Sequence, residues 1–233
     1  MRLVEDSHLA QQMLEDLGKE IYIEKGMPHV TELILCLTRG YLDRFHSLLP
    51  TSQETLLFAC GVGLEKVLLK SHRQHVTGEK DGIFFDTDFL DYDGLPGELK
   101  TTRVSAKKAE QWLCVTGMPV KAKSGEVIDM SETWQKQILA YLHCNDATEG
   151  TLGVLHLMGS YTPPFPCLKA WHVKASPEEI QGNWEWLLTR RDVYLGFVES
   201  RVLPTPHQYN LKWECDYCRY KVVCAAKKAA GET

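Results

Sequence analysis

The feature that most restricts the fold is a stretch of strand-forming sequence with acids set into it. GIFFDTDFLDYDGLPGELKTT, residues 82–102, holds two β-rich runs around a Gly and Pro turn cluster, the pattern of an antiparallel hairpin. Asp86, Asp88, Asp91, Asp93 and Glu98 lie within or beside those runs, where strand preference disfavours carboxylates. Local rules broken in this way often mark a functional site. Side chains alternate along a strand, so Glu98 and Lys100 project from one face and share a small volume.

Register narrows the choice of a second carboxylate. A two-residue turn at Asp93-Gly94 would pair Asp88 with Leu99 and turn it to the wrong side. A three-residue loop, Asp93 to Leu95, pairs Leu90 with Glu98 and Asp88 with Lys100, and Pro96 suits such a loop. Asp88 then lies diagonally beside Glu98, with Asp86 second on that face. Two such carboxylates suit Mg²⁺ or Mn²⁺, hard ions that take oxygen ligands and keep waters for a phosphate. The matching reaction is phosphodiester hydrolysis, in which the metal polarises the phosphate and generates hydroxide, while Lys100 orients the water or stabilises charge developing at phosphorus. The competing reading is a surface hairpin with an ordinary cross-strand ion pair.

Helices frame the hairpin. Thr31 is expected to cap TELILCLTRGYLDRF, and Thr51 with Glu54 forms a capping box for TSQETLLFACGVGLEKVLLKSH. Ser131 to His143 reads as helix, TLGVLHLM and CLKAWHVKA read as strands around YTPPFP, and Ser176, Pro177 and Glu179 open a long helix ending near Arg201. On that helix Trp184, Trp186, Tyr194 and Phe197 read as core or partner surface, and His156 and His172 as structural residues. The linker-like VLPTPHQYN leads into a cysteine-rich tail.

A chain of 233 residues can bury a real core. Its 44% hydrophobic and 24% charged content is ordinary for a globular protein. No apolar run approaches the roughly 20 residues of a membrane span, and the charged N-terminus holds no apolar signal segment. A soluble, cytoplasmic protein without a membrane partner is therefore expected. A net charge of −5 argues weakly against nucleic acid, although a local groove could draw on Lys100, Arg103, Lys107, Lys108, Lys121, Lys123, Arg219, Lys221, Lys227 and Lys228. The plainer reading of most of these is a solvated surface.

Eight cysteines in an intracellular chain point to metal binding or burial before disulfides. Cys215, Cys218 and Cys224 give C-x2-C-x5-C, three ligands of a tetrahedral thiolate site with one missing. Thiolate sites serve both zinc and iron-sulfur centres. Cys60, Cys114, Cys144 and Cys167 have no ligand spacing and read as buried small residues.

Asp88, then Glu98-Leu99-Lys100, then Gln137 and Tyr141 four residues apart on a following helix resemble the RecB-like PD-(D/E)XK nuclease pattern. One distant N-terminal cysteine before a C-terminal trio resembles the CRISPR-associated RecB-like exonucleases, and also AddB-type helicase-nucleases. The resemblance implies an α/β restriction-endonuclease-like core, a central mixed β-sheet flanked by helices. It implies a 4Fe-4S cluster on Cys36, Cys215, Cys218 and Cys224, with Cys36 inside the first strong helix. It further implies a catalytic set of Asp88, Glu98, Lys100, Gln137 and Tyr141, and Mg²⁺ or Mn²⁺ held by Asp88, Glu98, Leu99 and Glu65. In the family a histidine stands four residues after a glycine on the preceding helix; here Gly61 leads to Glu65, so Glu65, His72 and His75 all remain open as the third ligand. The implied organisation is an N-terminal helical region (1–50), a nuclease core (51–204) and a cluster element (205–233). The implied function is exonucleolytic cleavage of single-stranded or frayed DNA, beside a CRISPR integrase or helicase partner or in viral or plasmid recombination. A non-catalytic iron-sulfur DNA-binding subunit of a larger complex is the alternative.

Overall fold

The computed structural model describes residues 8, 12–17, 26–102, 130–157, 166–205, 212–216 and 218–231. From residue 26 its elements are α1 (Val30–Ile34), α2 (Leu37–Phe45), α3 (Ser52–Leu68), β1 (Arg73–Lys80), β2 (Ile83–Leu90), β3 (Pro96–Thr102), α4 (Met130–Cys144), β4 (Glu149–His156), β5 (Cys167–Lys174), α5 (Pro177–Ser200), a 3-10 turn (Lys212–Asp216) and α6 (Lys221–Ala229). The strands form one mixed sheet in the order β1-β2-β3-β4-β5. Among the described strands only β3 and β4 pair in parallel, and a parallel pair requires a crossover, in which α4 lies. Helices flank this sheet, so the α/β expectation of a central mixed sheet holds. The expected Arg103, Lys107, Lys108, Cys114, Lys121 and Lys123 lie outside the described residues.

The main core joins α1, α2, β2, α4 and α5. Val30, Leu33, Ile34, Leu37 and Tyr41 pack with Ile83 and Phe85, with Ala140 and Tyr141, and with Trp184, Leu187 and Tyr194. Trp184 is both packed and bonded: its indole N–H donates to Asp81 at 2.9 Å, and His143 stacks on it at 4.4 Å between ring centres. Trp184 and Tyr194 are therefore core, and Trp186 and Phe197 pack against it. A smaller cluster of Trp134, Leu152 and Val154 packs with Trp171 and Val173.

Both capping boxes form, at Thr51–Glu54 and at Ser176–Glu179 with Pro177 behind the cap. The first helix differs from expectation. TELILCLTRGYLDRF is two helices, because Leu35 turns to extended backbone and Cys36 becomes the N-cap of α2. Arg190 of α5 takes the carbonyls that a continuous helix would have used, donating to Leu33 and, at 2.6 Å, to Leu35. The cap of α1 is His29, whose Nδ1 accepts from the Thr31 N–H at 3.1 Å, not Thr31.

β1 was not expected. It pairs with β2 across Asp81-Gly82, both at positive φ (51° and 72°), the dihedral signature of a tight hairpin turn. The second turn also differs from the three-residue loop. Phe89 pairs with Gly97 and Leu90 with Pro96, so the connection is the five residues Asp91–Leu95. The Asp91 side chain accepts from the Asp93 and Leu95 N–H groups at 2.9 and 3.0 Å, and its other oxygen accepts from Thr151 at 2.9 Å. The expected register was thus two residues out, which preserves the face of every side chain because the period is two.

Gly150 at the start of β4 lets the parallel pair close. A Cβ there would stand 2.6 Å from the Pro96 carbonyl oxygen, a backbone atom with nowhere to move. Gly150→Ala should lower stability by about 1–3 kcal/mol, read as a lower urea midpoint at unchanged slope; an unchanged midpoint would contradict this packing.

Candidate active site

Continuing the β2–β3 register from Phe89↔Gly97 sets Asp88 directly opposite Glu98. The Leu99 N–H donates to Asp88 Oδ2 at 2.8 Å, which fixes that carboxylate against β3. Glu98 is only 1% exposed, so the reading as a surface hairpin is excluded. Its Oε1 pairs with the Lys100 ammonium, while its Oε2 is buried with no hydrogen-bond partner. Lys100 in turn donates to Gln137 Oε1 at 2.7 Å, and Gln137 Nε2 donates to the Tyr141 hydroxyl at 2.9 Å. Gln137 and Tyr141 thus share a face of α4 as their spacing predicts, and both are buried. They form a relay that holds Lys100 beside Glu98.

Of the other acids, Asp91 is consumed by the turn. Asp86 reaches His75 instead, with His75 Nδ1 3.2 Å from Asp86 Oδ2. Glu65 on α3 comes to the same histidine, its Oε1 3.5 Å from His75 Nε2, and is mostly buried with 18% of its side chain exposed. It is not a solvated helix charge. His72 turns elsewhere, its ring against Phe89 and Tyr92 at 5.3 and 4.6 Å between centres. His75 is the site residue that the sequence reading left as one of several options, because the strand carrying it was not expected.

Electrostatics show a shortage of positive charge. Burial holds the Glu98 carboxyl well above its usual range, Lys100 pulls it down, and Asp88 adds to the rise. Burial also raises Asp88 against the pull of Lys100 and the Leu99 N–H. Glu65 is pushed up to about 7 by burial and then by Asp88. Burial, Glu98 and Asp88 together hold the Tyr141 hydroxyl well above its usual range. Like charges brought together out of water resist ionisation until a cation joins them. Among the described residues no three His, Cys, Asp or Glu side chains already converge on one point; they are engaged pairwise. An all-oxygen pair with one orphaned, buried oxygen nevertheless fits a hard divalent ion.

The cysteines make a second place of interest. Cys36, Cys215, Cys218 and Cys224 line one pocket with Arg39, Glu214, Tyr220 and Lys221. Burial pushes the Cys36 thiol up to about 11 and raises Cys215 and Cys224, with Cys218 adding to all three. Cys36 enters this pocket from a helix start, not from inside a helix. The tail is also tied down without any metal. Cys36 N–H donates to Glu214 at 2.9 Å, the Tyr220 hydroxyl donates to Asp43 at 2.7 Å, and Arg219 pairs with Asp43. Arg219 is thereby committed to structure. Cys60 is exposed, contrary to its reading as a buried residue, while Cys144 packs partly buried against the core.

No family model matches the chain, and no curated protein sequence does. Among solved structures, the protein SSO0001 is similar, with a TM-score of 0.58 at 18% identity over 94% of this chain and 97% of that one. The two share a fold. A phage-related exonuclease from Haemophilus somnus 129PT gives a TM-score of 0.47 at 8% identity, covering 76% of this chain and 97% of that one. An alkaline exonuclease (LHK-Exo) from Laribacter hongkongensis gives 0.40 at 10% identity, covering 80% and 97%. Among the described residues no helix is long and apolar enough to cross a membrane.

The rise of Glu65 has a testable sign. Its ionised form is disfavoured in the fold, so its favourable share of stability is complete below the ordinary value of 4.5 and is lost as pH rises through about 7. In metal-free protein, Glu65→Gln should therefore gain melting temperature relative to the parent as pH rises across that window. A difference that stays flat or shrinks would contradict the buried, crowded placement of Glu65.

Proposed function

We propose that this chain is a metal-dependent DNA nuclease of the RecB-like PD-(D/E)XK class, with a restriction-endonuclease-like core. The observation that carries this reading is the buried Asp88–Glu98 pair, with Glu98 Oε2 unpartnered and Lys100 fixed alongside. Asp88, Glu98 and the Leu99 carbonyl would hold Mg²⁺ or Mn²⁺, with Glu65 at hand from α3. When bound, such an ion polarises a phosphate and lowers the pKa of a bound water. Lys100 stabilises charge developing at phosphorus, and it acts in a pocket of low dielectric where one fixed donor is worth a large factor. Gln137 and Tyr141 are positioning residues. Their amide-to-hydroxyl bond leaves the Gln137 oxygen no orientation except toward the Lys100 ammonium.

The substrate in this reading is single-stranded or frayed DNA, cleaved from an end, in CRISPR spacer acquisition beside an integrase or helicase or in viral or plasmid recombination. The lining of one pocket by Cys36, Cys215, Cys218 and Cys224 supports a 4Fe-4S cluster there. Four thiolates suit zinc as well, and metal content decides between them. A non-catalytic subunit that binds DNA through the same fold is the second reading, favoured by the replacement of the pattern's helix histidine with Glu65.

The test is incubation of anaerobically purified protein with end-labelled single-stranded DNA and Mn²⁺, beside EDTA. Cleavage should require the metal and fall by about 10²-fold or more in Glu98→Gln and in Lys100→Ala, with far-UV circular dichroism unchanged. The same preparation should be brown, with absorbance near ~400 nm and bound iron. DNA binding without cleavage by the parent protein supports the second reading, undiminished cleavage by both variants contradicts the first, and a colourless protein with stoichiometric zinc contradicts the cluster.

A further inference from the structure

We propose that His75 supplies a nitrogen ligand to the divalent cation, delivered from strand β1, and biases the site toward Mn²⁺ and similar first-row ions over Mg²⁺. The inference rests on the reading of Asp88 and Glu98 as metal ligands and adds the ligand that the helix position of Glu65 does not provide.

Three observations converge on His75. The first is backbone. In the β1–β2 ladder Gln74 pairs with Phe89 and Val76 with Thr87, so His75 is the residue opposite Asp88. At that point alone within the ladder the pairing lapses, and His75 stands at φ 53°, inside a strand and without the freedom of glycine. Such conformations cost about 1–3 kcal/mol and gather at ligand and catalytic sites.

The second is the ring. Nδ1 lies 3.2 Å from Asp86 Oδ2 and 3.3 Å from Oδ1. The tautomer in which Nδ1 donates to Asp86 leaves the Nε2 lone pair free for a cation. A carboxylate behind one nitrogen with the other turned toward a cation is the usual second layer of a histidine metal ligand. Nε2 faces Glu65 Oε1 at 3.5 Å, too long for a hydrogen bond, and that oxygen is itself buried with no hydrogen-bond partner. Two donors thus border one space without satisfying each other.

The third lies on the other strand. Glu98 Oε2 is buried and unpartnered next to Asp88. Glu65 on α3, Glu98 on β3 and His75 on β1 thus approach Asp88 from three elements, engaged pairwise and not yet convergent on one point. His72 does not compete, since its ring is committed to Phe89 and Tyr92. Imidazole raises affinity for first-row transition ions, whereas Mg²⁺ is served by oxygen and water.

Pulsed electron paramagnetic resonance of Mn²⁺ bound to the full chain reads this directly. Nitrogen modulation from a coordinated imidazole is expected in the parent and in His72→Ala, and should vanish in His75→Ala and His75→Gln. Glutamine keeps a hydrogen bond to Asp86, so it separates loss of the ligand from loss of the fold. Mn²⁺ affinity should fall at least ~10-fold in both His75 variants, and Mg²⁺ affinity, measured by competition, by less. Bound Mn²⁺ without nitrogen modulation in the parent, or modulation that survives in His75→Gln, overturns the assignment. Asp88→Ala separates the two layers. If it loses Mn²⁺ while the His75 variants keep the parent signal, His75 alone is misassigned; if it keeps parent affinity, the metal site itself is misread and the inference falls with it.

Discussion

Glu98 lies on a central strand with almost no exposure, one oxygen on Lys100 and the other buried without a donor. Removing one partner of a buried ion pair costs about 3–5 kcal/mol, because the remaining charge has no water to turn to. Much of the surrounding structure follows from keeping this arrangement intact. β4 seals one side of β3, Gln137 and Tyr141 of α4 hold the Lys100 head, and the Leu99 N–H holds Asp88. Asp91, an acid of the same stretch, spends its carboxylate closing the turn and gripping Thr151 of β4, which locks the register that brings Asp88 and Glu98 together.

How much of this could be read from sequence depended on the range of the interaction. Thr51–Glu54 and Ser176–Pro177–Glu179 are local capping signals and were legible, as was the shared face of Gln137 and Tyr141. Asp88 was legible despite the wrong loop, since a slip of two residues leaves side chains on their faces. β1 was missed because RQHVTGEK is polar and lies at the edge of the sheet. The signal is nonetheless present, as Asp81-Gly82 is a strong hairpin dipeptide just before the run that starts at Ile83. With β1 went His75. The break at Leu35–Cys36 was illegible for a different reason: helix propensity runs through it, and the cause is Arg190, more than 150 residues away.

The cysteine end shows a similar division. Cys215, Cys218 and Cys224 announce themselves by spacing, whereas nothing local singles out Cys36 from the other isolated cysteines, and only the resemblance pointed to it. In three dimensions Glu214 grips the backbone beside Cys36, and Asp43 draws in Arg219 and Tyr220. These contacts bring Cys36, Cys215, Cys218 and Cys224 to the lining of one pocket, although among the described residues no three His, Cys, Asp or Glu side chains converge as a metal group. The tail thereby joins the first helices to the last, while the acidic site sits on β1, β2 and β3 with α3 and α4 around it.

The buried Asp88–Glu98 pair makes chemical sense as the holder of a cation. Crystals of the protein soaked in Mn²⁺, with anomalous differences collected at the manganese edge, show this most directly. The prediction is a strong peak bounded by the carboxylates of Asp88 and Glu98, with Glu98 Oε2 among its ligands. A map with no peak there at saturating Mn²⁺, and Glu98 Oε2 still without a partner, would contradict it.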